Sequence, residues 1–135
     1  VERIVPNGIV CLFNAWSYHQ LSTVVPPSIC VAIDAKRKVV IPSTVPIEIY
    51  YWKKENLEFG ITDAEISGFK VRITDLERSV CDAVKYRNKI GLDTTAEIIR
   101  NYLKKDKRNL SRLSEYAKRL RVANTLKNYL MIAIE

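Results

Sequence analysis

The feature that most constrains the fold is a change of hydrophobic period at Thr74. Before this residue, short β-branched runs alternate with prolines and glycines, which is the pattern of strands joined by turns. After it, apolar residues recur every three or four positions, as they do on one face of a helix. Strands followed by consecutive helices favour an α+β fold, in which helices cover a sheet.

One helix is predicted ahead of the strands. Apolar side chains at Ile9, Leu12, Phe13 and Trp16 share the helical spacing i, i+3, i+4 and i+7. The helix should end near His19, which we interpret as a packing or capping residue because it follows the apolar face directly.

Five short strands are expected between this helix and Thr74. Glycine permits the positive φ of a tight hairpin, so Ser67-Gly68 should be the turn before the last strand. We expect the sheet to be small and mostly antiparallel. The predicted strands cover residues 28–33, 38–41, 47–52, 58–61 and 69–73, and residues 64–66 form a further extended segment before the turn.

Four consecutive helices are predicted from Thr74 onward. The spacings Thr74-x-x-Glu77 and Thr94-x-x-Glu97 match capping boxes, so the first two helices should begin there. Asn109 can cap a third helix, and a fourth follows it. The positions expected to face inward are Leu76, Val80, Ala83, Val84, Ala96, Ile99, Leu103, Leu110, Leu113, Ala117, Leu120, Ala123, Leu126, Leu130 and Ala133.

Together these elements predict an α+β architecture for residues 1–135 as a single domain. It has an N-terminal helix, a small mostly antiparallel sheet, and four consecutive helices packed on one face of that sheet. A chain of 135 residues that is 47% hydrophobic can build its own core. Because the chain begins with Val1 and not with Met, we expect it to be part of a longer protein.

Cysteine usage and hydropathy predict the cellular location of the protein. Cys11, Cys30 and Cys81 are odd in number and widely spaced, so neither a disulfide framework nor a zinc site is expected. A reducing cytoplasm is the predicted location. No apolar run approaches the ~18 residues of a membrane helix, so no membrane partner is expected. The pattern leaves the oligomeric state open.

The positive charge of the chain is concentrated toward its C-terminus. The formal net charge is +7, and residues 100–127 alone hold ten Lys or Arg against two acids. On a helix, Arg100, Lys104 and either Lys107 or Arg108 would share one stripe, opposite Ile99 and Leu103. Such a field attracts nucleic-acid phosphates or an acidic protein surface. The predicted partner-binding residues of this segment also include Arg112, Lys118, Arg119 and Arg121.

A second polar stripe is predicted on the helix that follows Thr74. Arg78, Asp82, Lys85 and Lys89 lie opposite its apolar face, and Arg78 and Asp82 are at ion-pair spacing. Exposed pairs of this kind add little to stability. The stripe is therefore interpreted either as a solvated face or as a partner contact.

Catalytic patterns are sparse. Asp34-x-Lys36 has the acid-x-Lys spacing of metal-dependent nucleases, but those sites need a second carboxylate upstream, and there is no acid between Asn7 and Ile33. The turn role is therefore favoured for Asp34. His19 is the only histidine, and no glycine-rich phosphate loop is present. We expect no catalytic, metal or cofactor site, and hence no enzymatic activity.

The aromatic run Tyr50, Tyr51 and Trp52 offers a possible stacking surface for bases. Side chains alternate along a strand, so Tyr50 and Trp52 share one face and Tyr51 takes the other. At least one of these faces should belong to the core, and we favour a packing role for the run.

Several segments resemble the AbiEi antitoxin family, the repressor and antitoxin half of AbiE-type toxin-antitoxin systems. The most specific similarity is KYRNKIGLD at residues 85–93, within TDLERSVCDAVKYRNKIGLD at residues 74–93. GIVCLFNAWSYHQLST at residues 8–23, ISGFKVRI at residues 66–73 and EYAKRLRVANTLKNYL at residues 115–130 are also similar. The resemblance spans nearly the whole chain, from Gly8 to Leu130.

This resemblance implies a C-terminal antitoxin domain that acts in abortive infection, counters a nucleotidyltransferase-type toxin and contributes to transcriptional autoregulation. Operator DNA would be bound mainly by a winged helix-turn-helix domain, which we expect to be absent from this chain because nothing before Gly8 could form it. The alternative is a metal-dependent nuclease or a phosphotransferase acting on nucleic acid or on the toxin. By resemblance, Tyr86 and Leu92 would be structural, and the functional surface would comprise Arg78, Lys85, Arg87 and Lys89 with Arg100, Lys104 and Arg108.

Overall fold

A computed structural model describes residues 5–133 of the chain and has an α+β architecture. Residues 1–4 and 134–135 of the predicted domain lie outside the described residues. The strands are β1 (Ile9–Val10), β2 (Ile29–Asp34), β3 (Ile47–Trp52), β4 (Ile61–Ile66) and β5 (Phe69–Thr74). The helices are α1 (Leu12–Tyr18), α2 (Leu76–Lys85), α3 (Arg87–Ile90), α4 (Leu92–Leu103), α5 (Leu110–Arg119) and α6 (Ala123–Ala133), and a 3₁₀ turn covers Lys54–Leu57.

The five strands form one mixed sheet in the order β3-β2-β1-β5-β4. β1 pairs with β2 and β4 pairs with β5 in antiparallel fashion, whereas β1 with β5 and β2 with β3 are parallel. The expectation of a mostly antiparallel sheet was therefore wrong. Residues 35–46 connect β2 to β3, which are parallel. This connection is long enough to return the chain to the end of the sheet where β2 begins, and a parallel β3 must begin at that same end.

Local sequence patterns misplaced some elements. Ile9 belongs to β1 and not to the first helix, because it pairs with Ala32 on one side and with Arg72 on the other. These long-range hydrogen bonds override the helical spacing around Ile9. Residues 38–41 form no strand, and the strand predicted at 58–61 begins only at Ile61.

The hairpin between β4 and β5 confirms the predicted turn. Ile66 pairs directly with Phe69, so Ser67 and Gly68 are the two turn residues. Their φ angles are +53° and +83°, and two positive values are what the tightest hairpin turns need.

The helices cover one face of the sheet, as predicted. The main core joins Cys30, Ala32, Tyr50 and Trp52 of β2 and β3 to the buried sides of α2, α4, α5 and α6. On β2 and β3, the opposite face is covered by residues Val39 and Ile41 of the connection after β2. Within residues 5–133, no helix combines the length and the apolar character needed to cross a bilayer.

Five helices follow the sheet, because the region expected to hold the first is divided at Tyr86 into α2 and the one-turn helix α3. Asp75 caps α2 in place of Thr74, and its carboxylate accepts a hydrogen bond from the Arg78 amide at 2.8 Å. α4 begins at Leu92, two residues before the predicted cap.

Most of the positions predicted to face inward on these helices are buried or half-buried. The exception is Leu110, which is exposed at the start of α5. Asn109 caps this helix as expected, since its side chain accepts a hydrogen bond from the Arg112 amide at 3.0 Å.

α2 is enclosed on all sides. Every residue from Glu77 to Val84 is buried, including the charged side chains of Glu77, Arg78 and Asp82. Glu77 accepts hydrogen bonds from the Tyr102 hydroxyl at 2.9 Å and the Asn109 amide at 3.0 Å. These bonds join α2 to α4 and to the start of α5, so α2 is the element around which the other helices assemble.

His19 contributes a pH dependence to stability. Its Nε2 lies 2.8 Å from the Thr74 carbonyl oxygen, to which the neutral ring can donate. Desolvation by burial lowers the pKa of His19 from its ordinary value of 6.5. The unfolded chain therefore takes up the proton first as the pH falls, so the stability contribution present above pH 6.5 is lost below it.

We expect the difference in unfolding free energy between pH 7.5 and pH 5 to be smaller in His19→Gln than in the native chain. Glutamine can donate to the Thr74 carbonyl but has no proton to gain in this range. Urea denaturation at both pH values measures the difference. Identical pH dependence in both proteins would mean that other groups cause it.

Candidate functional site

A cleft of about 600 Å³ opens where the end of β3 approaches the C-terminal helices. Its lining comes from β3 and the 3₁₀ turn, from the end of α2, and from the connection between α5 and α6. The volume falls within the roughly 300–1,000 Å³ of small-molecule sites. The cations are Lys53, Lys85, Arg119 and Arg121, the aromatic residues are Tyr51, Trp52, Phe59 and Tyr86, and Glu55 is the one acid among the described lining residues.

Arg78 holds the segment that carries Phe59. Its Nη1 donates to the carbonyl oxygens of Asn56 at 2.6 Å and Phe59 at 3.0 Å. The guanidinium carbon lies 4.5 Å from the ring centroid of Trp52 and 4.6 Å from that of Phe59. Gly60 permits this approach, since a Cβ there would lie 2.6 Å from the Arg78 Cβ. α2 thereby fixes one side of the cleft from within the core.

The first half of the predicted polar stripe, Arg78 and Asp82, is not a solvated face. The side chains of Arg78 and Asp82 are each 1% exposed, and the Arg78 Nε lies 3.1 Å from Asp82 Oδ1. The prediction that Arg78 belongs to the functional surface was therefore wrong, because the guanidinium is used internally. Burial raises the pKa of Asp82 while the guanidinium opposes that change, and Asp82 Oδ2 has no hydrogen-bond partner among residues 5–133.

Three of the predicted partner-binding residues line the cleft, namely Lys85, Arg119 and Arg121. The Arg119 guanidinium carbon lies 4.3 Å from the Phe59 ring centroid, which orients it across the cleft lining. Within residues 5–133, no ion pair engages any of these three side chains or Lys53. The cleft thus presents four cations whose charge the described chain does not pair.

Lys85 experiences this unpaired charge directly. Desolvation lowers the pKa of Lys85, and the nearby cations Arg78 and Lys53 lower it further, whereas Asp82 raises it. A bound anion would relieve both the repulsion between the cations and the cost of their partial burial. The electrostatics of the cleft therefore favour a negatively charged occupant.

The aromatic side chains differ in availability. Trp52 is buried, and its indole N–H donates to the Tyr86 hydroxyl at 2.9 Å. Tyr50 is also buried and stacks edge-on against Tyr86, so the core role predicted for this face of β3 is confirmed. Tyr51 lies on the other face and is 53% exposed, and it contributes to the lining of the cleft.

Two predicted partner-binding residues near the cleft have partners within the chain. Lys89 Nζ lies 2.9 Å from Glu48 Oε1 and 2.8 Å from the Tyr50 hydroxyl oxygen. Hydrogen bonds from Lys89 and Tyr50 lower the pKa of Glu48, so this pair is ionised at neutral pH. Arg87 donates to the Val84 carbonyl oxygen at 2.9 Å, within its own helical region.

The predicted stripe of Arg100, Lys104 and Arg108 is not on one helix, because α4 ends at Leu103. The chain turns back there so that Asn109 can reach the buried Glu77. Arg108 instead donates to the Lys105 carbonyl oxygen at 2.7 Å within that connection.

All three cations of this predicted stripe are nevertheless exposed, as are Lys118 and Arg112 on α5. Arg112 also lies 3.9 Å from Glu77. The remaining members of the predicted set, Arg100, Lys104, Arg108, Arg112 and Lys118, are therefore exposed cations outside the cleft, and they are called the exposed basic surface below. Leu92, expected to be structural, is 60% exposed, whereas Tyr86 packs against β3.

Asp34 has the turn role that its sequence context predicts. Its Oδ1 accepts a hydrogen bond from the Lys36 amide at 2.9 Å, and its carbonyl oxygen accepts one from Arg37 at 2.9 Å. Among the described residues, no group of three or more His, Cys, Asp or Glu side chains is close enough to hold a metal ion. Nothing in this region adds support to the nuclease interpretation.

Sequence reasoning missed Lys53 and Phe59 as lining residues. A signal for Lys53 was present, since it directly follows the aromatic run at the end of a predicted strand. Phe59 carried no such signal, because its position depends on the hydrogen bond from Arg78 to the Phe59 carbonyl. No protein-family model matches the sequence, and no curated protein shows significant similarity to it.

Proposed function

We propose that this chain is a binding module of the antitoxin type, similar to the C-terminal domain of AbiEi antitoxins, and that it counters a nucleotidyltransferase-type toxin. Its basic C-terminal half contacts an acidic surface of the toxin and adds non-specific contact with operator DNA. Cytoplasmic location and autoregulation of transcription belong to the same proposal.

The observation that carries this proposal is the amount of positive charge without an acidic partner. Arg100, Lys104 and Lys118 are exposed and have no ion pair within residues 5–133. Exposed cations of this kind speed association with an oppositely charged surface more than they stabilise the fold. Arg100 and Lys118 lie on α4 and α5 and Lys104 directly follows α4, and these helices pack against the buried α2, so the charged surface is held in place before the partner arrives.

The experiment is calorimetric titration of the chain against the toxin encoded by the neighbouring gene. A parallel titration uses a duplex of the chain's own promoter, and both are made at two salt concentrations. Toxin binding places antitoxin activity in this chain. DNA binding that weakens steeply with salt would reflect phosphate contacts, because such contacts release counterions.

We expect the triple variant Arg100→Glu, Lys104→Glu and Arg108→Glu to bind the toxin at least about tenfold more weakly, since like charges would then face each other at the interface. A matched control reverses three exposed lysines elsewhere, Lys36, Lys38 and Lys70, and changes the net charge equally.

The control should retain most of the affinity. Equal losses in both variants would show that total charge and not this surface matters. If the native chain binds neither the toxin nor the duplex at low salt, the proposed function fails.

A further inference from the structure

The basic and aromatic cleft has properties that the antitoxin proposal does not require. An interface for a folded protein needs an extended surface, whereas this feature is a concave site of about 600 Å³. It combines four unpaired cations with an exposed aromatic ring. Cations attract phosphate groups, and an exposed aromatic ring stacks on a base, so the two kinds of group fit a ligand that has both parts.

We propose that the cleft binds an unpaired nucleotide, either free or as part of a single strand. The phosphates lie against Arg119, Arg121 and Lys85, and the base stacks on the exposed ring of Tyr51. This inference goes beyond the proposed function and does not depend on it, since it concerns a different part of the surface and a different class of ligand.

The phosphate side of the proposal rests on geometry and charge. Arg119 is held against the Phe59 ring, 4.3 Å from its centroid, and does not have to be ordered by the ligand. A preordered guanidinium loses less entropy when it forms paired hydrogen bonds to a phosphate. Glu55, the one described acid in the lining, is exposed and does not neutralise the four cations.

The base side of the proposal rests on Tyr51. Tyr51 is 53% exposed although its neighbours Tyr50 and Trp52 are buried, and it lines the cleft together with the cation Lys53. Stacking on an aromatic ring contributes roughly 1–3 kcal/mol per base and tolerates any base. A duplex keeps its bases stacked inside and would use the cations alone. An acidic peptide would likewise leave the aromatic ring without a stacking partner.

Calorimetry of the purified chain can measure the contributions of the phosphates and of the base to the affinity separately. The probes are ATP, inorganic tripolyphosphate, adenosine, a short oligothymidylate and a duplex of equal length. We expect ATP to bind more tightly than either tripolyphosphate or adenosine, because each of these supplies only one half. Trp52 lines the cleft, so tryptophan emission should change with ATP and with the oligothymidylate.

Variants test the named residues. Tyr51→Ala and Arg121→Gln should each weaken ATP binding roughly tenfold, through loss of stacking and loss of a charge-assisted hydrogen bond. Arg72→Gln removes an equivalent exposed charge outside the cleft and should leave ATP affinity within about twofold, since distant sites act independently. Circular dichroism confirms that each variant is folded.

A free nucleotide and a nucleotide within a single strand are distinguished by comparing the affinities of ATP and of the oligothymidylate. Tighter binding of either one supports the proposal. The proposal is overturned if neither ATP nor the oligothymidylate causes a heat or emission change at millimolar concentration, or if tripolyphosphate binds as well as the nucleotide probes. It is also overturned if the duplex binds as well as the single strand, or if Arg72→Gln weakens binding as much as Arg121→Gln. Loss of toxin binding with retained ATP binding would refute only the antitoxin proposal.

Discussion

Arg78→Ala is expected to lower the free energy of unfolding by about 3–5 kcal/mol, the usual cost of breaking a buried ion pair by removing one partner. The variant leaves the carboxylate of Asp82 buried without its counter-charge. It also removes the donors to the carbonyl oxygens of Asn56 and Phe59, which lie in the lining of the cleft. Urea denaturation followed by circular dichroism measures the loss.

The pH dependence of this variant identifies the cause. Without Arg78, burial is the largest influence on Asp82 and holds its pKa above the unfolded value, with a smaller opposing effect from Lys85. A carboxyl with a raised folded pKa destabilises the fold when it ionises, so the deficit should grow as the pH rises from 4 to 7. A deficit that does not change over this range would exclude the stranded carboxylate as its source.

Two control variants test the cause of the stability loss in Arg78→Ala. Arg100→Ala removes an exposed arginine and should change the stability by no more than about 0.5 kcal/mol. The double variant Arg78→Met and Asp82→Leu replaces the pair by apolar side chains and should recover much of the loss, because both desolvation costs disappear. If Arg78→Ala resembled Arg100→Ala, Arg78 would be an ordinary surface residue after all.

Trp16→Ala is expected to cost about 3–5 kcal/mol, as large-to-small changes in a well-packed core do. Trp16 is fully buried, and its indole N–H donates to the Ser79 carbonyl oxygen at 2.7 Å. Phe13 packs against it edge to face, with the ring centroids 4.9 Å apart. The side chain therefore attaches α1 to the central helix α2. Thermal or urea unfolding gives the magnitude.

Phe69→Ala is the matched control, because Phe69 is an aromatic residue that is 72% exposed. We expect its substitution to change stability by no more than about 0.5 kcal/mol. Trp16→Phe keeps most of the apolar volume and should cost less than Trp16→Ala. It also leaves Trp52 as the sole tryptophan, so that its emission reports on the cleft alone. A comparable loss in Phe69→Ala and Trp16→Ala would contradict the assigned packing of α1.

Sequence patterns identified some of the residues that line the cleft but not how these residues come together in space. Arg119 and Arg121 were selected from the basic C-terminal segment, and Lys85 from the polar stripe of the helix predicted after Thr74. Their convergence was not predictable, since Lys85 ends α2 while the two arginines lie at the end of α5 and just beyond it. Arg78 was assigned to the wrong environment because a charged residue opposite an apolar stripe normally faces water.

The sequence by itself determined the α+β class, the β4–β5 hairpin, the cap of α5 and most of the apolar positions that form the core. These features depend on interactions between residues close in the chain, such as φ preferences, capping hydrogen bonds and hydrophobic period. Only the tertiary structure decided the parallel pairings, the strand role of Ile9 and the burial of the Arg78–Asp82 pair. Each of these depends on partners distant in the chain or on complete enclosure of α2, and local propensity contains no information about such contacts.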